Sequence, residues 1–165
     1  MAIDDKNESL YFHKIVNIGT KKEFSSTETR YLQVTNIASI LGAMYNAIWV
    51  LIAVTIIESP IIYGSNGLLG LMFLVVLIFN KKGWRTLASI WLTISSFTSV
   101  LLFLYLLGYS SGVTVIYFII IILPYITFPR KARKLALGFS MLACLMLFVT
   151  VLLQSNINAH YSAMD

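Results

Sequence analysis

The twelve lysines and arginines of this chain fall in three short segments: five between Lys6 and Arg30, then Lys81, Lys82 and Arg85, then Arg130, Lys131, Arg133 and Lys134. Outside these segments run four windows without a charged side chain, residues 31–57, 59–80, 86–129 and 135–164. Each is long enough for a helix that crosses a hydrocarbon layer, which takes about 20 residues. Lysine and arginine beside such helices stay on the cytoplasmic side, so three basic segments make three cytoplasmic segments and put the N-terminus inside. The expected fold is all-α, a polytopic bundle of transmembrane helices.

Composition agrees with that reading. The chain is 58% hydrophobic with a mean hydropathy of +0.82, beyond the roughly 45–50% of soluble domains. Residues 1–30 are the only polar stretch of any length, too short to bury a core of their own. The net charge of +5 sits beside apolar segments, where anionic headgroups attract each base, so lipid rather than nucleic acid is the expected partner. No basic segment followed at once by an apolar run opens the chain, so a cleavable signal peptide is not expected. Cys144 is the sole cysteine; that excludes an internal disulfide and a cysteine-cluster zinc site, and the residue reads as a small buried hydrophobe. His13 and His160 fall on opposite sides of the expected bilayer and share no metal.

The expected organisation is a cytoplasmic arm over residues 1–25, a bundle over 26–153 and an extracytoplasmic tail over 154–165. Ser25 and Glu28 have the capping-box spacing that starts a helix, and the first helix is expected over 26–57. At 1.5 Å per residue it is about 48 Å long, so its first turns project from the bilayer. Ser59 and Pro60 read as the N-cap and first position of a second helix, 60–80. Residues 63–67 could equally form a loop; the longer helix is the reading adopted. Gly83 and the surrounding bases mark a cytoplasmic turn with Trp84 at headgroup level. A third helix follows at 87–107. The loop-forming residues 108–112 divide the longest window and leave a fourth helix at 113–128, with Pro124 inside it and Pro129 at its end. The fifth helix is expected at 135–153. Five crossings place the C-terminus outside, and Glu58 is the acid of the outer turns.

The faces inside the membrane carry small and amide side chains. Asn36, Ser39, Ala43 and Asn46, at steps of three and four, share one face of the first helix. An unpaired amide in lipid is costly, so Asn46 is expected to bond another helix or a bound ligand. Ser89, Thr93 and Ser96, flanked by Ser95 and Ser99, form a stripe on the third helix, and Ala136, Ser140 and Cys144 another on the fifth. Gly64, Gly67 and Gly70 would allow close approach on the second. Tyr117 and Tyr125 read as two phenols on one face of the fourth helix. No Asp, Glu, Lys, Arg or His falls at mid-membrane depth, where such groups mark ion and proton paths. No nucleophile motif, metal-binding motif, phosphate loop or acid–base pair of carboxylates occurs. The chain reads as non-enzymatic, with no catalytic residue, metal or cofactor.

Three motifs resemble one family. Ile18-Gly19-Thr20 with Glu28-x-Arg30 and Asn36, then Phe79-Asn80-Lys81-Lys82-Gly83-Trp84, then Leu123-Pro124-Tyr125-Ile126-Thr127-Phe128 are similar in order and kind to the multi-helix membrane module N-terminal to bacterial receptor histidine kinases, class III nucleotidyl cyclases and diguanylate cyclases. The resemblance implies a sensor or anchor in the bacterial inner membrane that passes a signal to a cytoplasmic output domain through a sixth helix. The charge rule puts residues 154–165 outside, so the expectation here is a module without that helix, from a truncated or detached receptor.

The functional expectation is a membrane sensor or anchor in signal transduction. It takes a small, largely apolar ligand held by Asn46, Ser96, Tyr117, Tyr125 and Ser140, and works as a homo-oligomer or with another membrane protein. A small permease, or an accessory membrane subunit of a transport complex, has the same hydropathy and is the alternative.

Overall fold

The computed structural model describes residues 13–21, 23–57, 59–107 and 114–162. No strand occurs among the described residues. Helix α1 (Ser26–Ile52) passes into one π-helical turn (Ala53–Ile57) and is followed by α2 (Pro60–Lys81), α3 (Arg85–Leu107), α4 (Thr114–Thr127), a 3-10 turn (Arg130–Ala132) and α5 (Arg133–Ser162). Glu58 and the expected outer loop 108–112 lie outside the described residues.

Local signals explain the ends. Ser25 caps α1: its Oγ accepts from the Glu28 amide at 3.3 Å, and its own amide donates to Glu28 Oε2 at 3.2 Å, the reciprocal capping box. Ser59 occupies the N-cap position of α2 in extended conformation, but its side chain makes no cap bond, and Pro60 supplies the helical φ. Helix α2 runs unbroken through Gly64 and Gly67. Gly83 follows it at φ +82°, a left-handed conformation that glycine adopts without steric cost. Helix α5 passes the expected end at residue 153 and continues to Ser162, since residues 154–162 hold no glycine or proline to stop it.

Among the described residues four helices are long and apolar enough to cross a membrane: Ser26–Ile56, Pro60–Lys81, Arg85–Tyr105 and Arg130–Leu153. Ile116–Thr127 is a shorter apolar helix. The bundle is centred on α3, of whose apolar window 56% is buried, against 17–22% for the other three long helices. Large apolar side chains lie exposed on the other helices, including Leu41, Ile48 and Leu51 on α1, Leu71 and Ile78 on α2, Phe118 and Ile122 on α4, and Met141, Leu145 and Phe148 on α5. In water an apolar surface of this extent would drive aggregation, whereas in a bilayer it is the lipid-facing side. The chain is a multi-pass membrane protein.

Neighbouring helices run antiparallel. Ser89 near the start of α3 and Thr127 at the end of α4 meet through a hydrogen bond of 2.7 Å, while Phe103 near the far end of α3 clusters with Tyr117 near the start of α4. Helix α5 returns along α4, its Ser140 bonded to Ile121 and its Thr150 to Tyr117. Residues 13–21 and 23–25 of the arm, the 81–85 turn and the 130–134 turn therefore gather at one end of the molecule. Arg85 pairs there with Glu28 at 3.2 Å and lies over the Phe24 ring at 3.6 Å.

Candidate functional site

Two polar assemblies stand out against the apolar interior. The first closes the basic end. Asn36 is fully buried; its Nδ2 donates to the carbonyls of Val16 at 2.8 Å and Ile18 at 3.0 Å, and its Oδ1 accepts from Asn80 Nδ2 at 2.7 Å. One side chain thus ties the arm to α1 and α2. Gly19 is fixed by the same packing: at φ +80° it lies so close to the Asn80 carbonyl that a Cβ would collide with it. Gln33 Nε2 adds a bond to Asn17 Oδ1 at 2.8 Å. The Thr127 carbonyl takes Ser89 Oγ at 2.7 Å and Thr35 Oγ1 at 3.4 Å, joining α4 to α3 and α1. The three motifs that carried the resemblance all meet here, although 44 residues separate Asn36 from Asn80.

The second assembly lies deeper, among α1, α2, α3 and α4. It is a cavity of about 140 Å³ bordered by Asn46, Ser96 and Ser99, with Phe73, Phe103 and Ile120 among its apolar walls. The Asn46 amide donates to the Gly42 carbonyl at 2.8 Å, but its buried Oδ1 has no partner, and neither has the buried Ser99 Oγ. The Ser99 case contrasts with its neighbours. Ser95, Ser96 and Thr98 each donate to the carbonyl four residues back, at 2.9, 2.9 and 3.0 Å, the usual way for a helical hydroxyl to be satisfied in an apolar setting. Ser99 borders the cavity, as Ser96 does, but makes no such bond.

Of the five side chains expected to bind a ligand, the structure brings Asn46 and Ser96 to this cavity and disperses the others. Tyr117 is fully buried and borders a separate groove of about 560 Å³ between α3, α4 and α5, where its hydroxyl lies 3.3 Å from Thr150 Oγ1. Ser140 donates to the Ile121 carbonyl at 2.7 Å and so joins α5 to α4. Tyr125 is 50% exposed on the outer face, which corrects the expectation that it faces the bundle centre. Eight residues at 100° each leave it 80° from Tyr117, and the inner face instead passes through Pro124. Cys144 is likewise exposed rather than buried: Ala143, one residue earlier and turned by 100°, takes the fully buried position.

Ser99 stands beside the serine stripe and outside the expected set of five; its spacing of three from Ser96 is the sequence signal for its place on the cavity wall. Among the described residues no three His, Cys, Asp or Glu side chains come together to hold a metal ion. No protein-family model matches the chain, and neither does any curated protein or solved structure.

Proposed function

We propose that this chain is the non-catalytic membrane sensor or anchor module of a bacterial signalling receptor, embedded in the inner membrane by five crossings with its N-terminus in the cytoplasm and its C-terminus outside. The observation that carries the reading is the cavity between α1, α2, α3 and α4 with two buried, unpaired polar atoms, Asn46 Oδ1 and Ser99 Oγ. A buried polar atom without a partner costs about 1–3 kcal/mol, and a ligand that satisfies it recovers that energy. The same helices reach the basic end, where Asn36, Asn80 and Thr127 link them to one another and to the arm. Occupancy of the cavity thus bears on the helices whose ends would face an output domain. Helix α4 counts as the fifth crossing. Its described length of 14 residues spans about 21 Å, short for a core of about 30 Å, and its basic end is held in place by the Thr127 contacts.

The module works with a second copy or another membrane protein, through the apolar outer faces. A chimera that joins it through a sixth helix to a reporter kinase tests the reading. Asn46→Leu is expected to change the reporter's basal output or its response to extracts; unchanged output in both conditions overturns the sensor role. The permease alternative predicts solute flux by the purified protein in liposomes, and the sensor reading predicts none.

A further inference from the structure

We infer that the Asn46–Ser99 cavity binds a small, uncharged, mostly apolar molecule bearing one hydroxyl group. The hydroxyl donates its proton to Asn46 Oδ1 and accepts one from Ser99 Oγ. This deepens the sensor reading by naming the ligand's chemistry, and it rests on that reading only for the claim that binding is a signal.

Three features fix the class. The first is the pairing of functions. Asn46 Oδ1 is a carbonyl oxygen and can only accept; the bond from Nδ2 to the Gly42 carbonyl fixes which end of the amide it is, and Oδ1 itself is unpaired. Ser99 Oγ is free to donate, since it makes no bond to the preceding turn. A hydroxyl answers both at once; a ketone or ether would leave Asn46 unpaired. Charge is the second feature. Asn46, Ser96 and Ser99 are neutral, and the remaining walls are chiefly aliphatic and aromatic, with no lysine, arginine or carboxylate among them. An ion entering such a site would lose its hydration without a counter-charge, so a neutral ligand is required. Size is the third. The recess holds about 140 Å³, close to the 150 Å³ apolar cavity that holds benzene, and it opens past Ile119, which is exposed, so roughly seven to nine heavy atoms of the ligand lie within it. The rings of Phe73 and Phe103 on the wall suit an aromatic alcohol or a phenol. An acyl chain from the surrounding lipid would fill the volume but leave both polar atoms unpaired. Water is the other competing occupant: it would satisfy the two polar atoms and leave most of the apolar wall wetted.

The probe is 4-fluorophenol, followed by fluorine NMR on the full chain in phosphatidylcholine nanodiscs, with empty nanodiscs as the partition control. We expect a saturable bound signal, and affinity at least about tenfold higher than for 4-fluorotoluene, which lacks the hydroxyl. Ser99→Ala and Asn46→Leu should each lower the affinity about tenfold, and Ser99→Thr, which keeps the hydroxyl, should retain it. Ile120→Phe fills the cavity without removing either polar group and should abolish binding. Where a polar variant does not fold, the Ile120→Phe and Ser99→Thr pair decides alone. Three results would overturn the inference: no saturable binding of either probe, as for a water-filled or collapsed cavity; equal binding of both, as for a purely apolar slot; or binding unaffected by Ile120→Phe. The sensor reading fails separately. If 4-fluorophenol binds as described but leaves a fused reporter kinase unchanged, the site stands and its signalling role falls. Conversely, a reporter altered by Asn46→Leu without saturable phenol binding removes the hydroxyl ligand and keeps the sensor.

Discussion

Asn36→Ala is the substitution that most directly probes how the arm is held. It removes two bonds to the arm, at 2.8 and 3.0 Å, and one from Asn80, at 2.7 Å. The side chain is fully buried and Asn80 is 1% exposed, so water does not readily replace what is lost. Leaving buried groups unpaired costs about 1–3 kcal/mol each, which for three bonds gives an upper range of roughly 3–9 kcal/mol. In membranes the unfolded reference finds partners of its own, and measured bonds average about 0.6 kcal/mol, a lower bound near 2 kcal/mol for three. We therefore expect a loss of about 2–4 kcal/mol, from the lower part of that interval, because the arm carbonyls can swing out to water once released. Equilibrium unfolding in mixed micelles measures the energy. Limited trypsin digestion after Lys21 measures release of the arm, which should be cleaved faster in the variant. The double variant Asn36→Ala with Asn80→Ala should cost little more than Asn36→Ala alone, since the two share one bond. A loss under about 0.5 kcal/mol together with unchanged cleavage would refute the role assigned to Asn36.

Other perturbations follow from the same geometry. Gly19→Ala forces a side chain into a left-handed conformation, a cost of about 1–2 kcal/mol, and drives a Cβ into the Asn80 carbonyl; the arm should again become sensitive to trypsin, with α1 to α5 still folded by circular dichroism. Arg85→Ala should lower the unfolding midpoint more than Glu28→Gln does, because Arg85 also covers the Phe24 ring at 3.6 Å, and only the ion-pair part should fade at high salt. Tyr117→Ala removes a fully buried ring and should cost about 3–5 kcal/mol, whereas Tyr125→Ala, on the exposed face, should stay within about 0.5 kcal/mol; the order of the two unfolding midpoints checks this.

The helices were legible because charge and hydropathy act over whole segments. Twelve bases in three groups mark the turns, and the structure gathers those turns at one end. The inner face of α1 was legible too: Asn36, Ser39 and Asn46 are all buried, since steps of three and four keep a stripe within one arc. The two side chains that depart from expectation do so by angle. Tyr125 and Cys144 lie eight residues from Tyr117 and Ala136, and the resulting 80° is enough to carry a side chain from the core to the lipid. Which polar group bonds which was not legible at all. Asn36 meets Asn80 across 44 residues, and Ser140 finds Ile121 across a helix pair; neither pairing leaves a trace in periodicity. The free hydroxyl of Ser99 was hidden for a similar reason. Nothing in the sequence separates it from Ser95 and Ser96, each of which donates to the carbonyl four residues back, whereas Ser99 Oγ has no partner.

The layout of five crossings with all bases on one side is the claim on which the functional reading stands, and α4 is its weakest element by length. Single cysteines introduced by Lys82→Cys and Lys131→Cys in a Cys144→Ser background, probed with a membrane-impermeant maleimide in intact and inverted vesicles, test it directly. With five crossings, both react from the cytoplasmic side alone. Labelling of Lys131→Cys from outside, with Lys82→Cys still inside, would leave a single crossing between the two positions and would contradict five crossings.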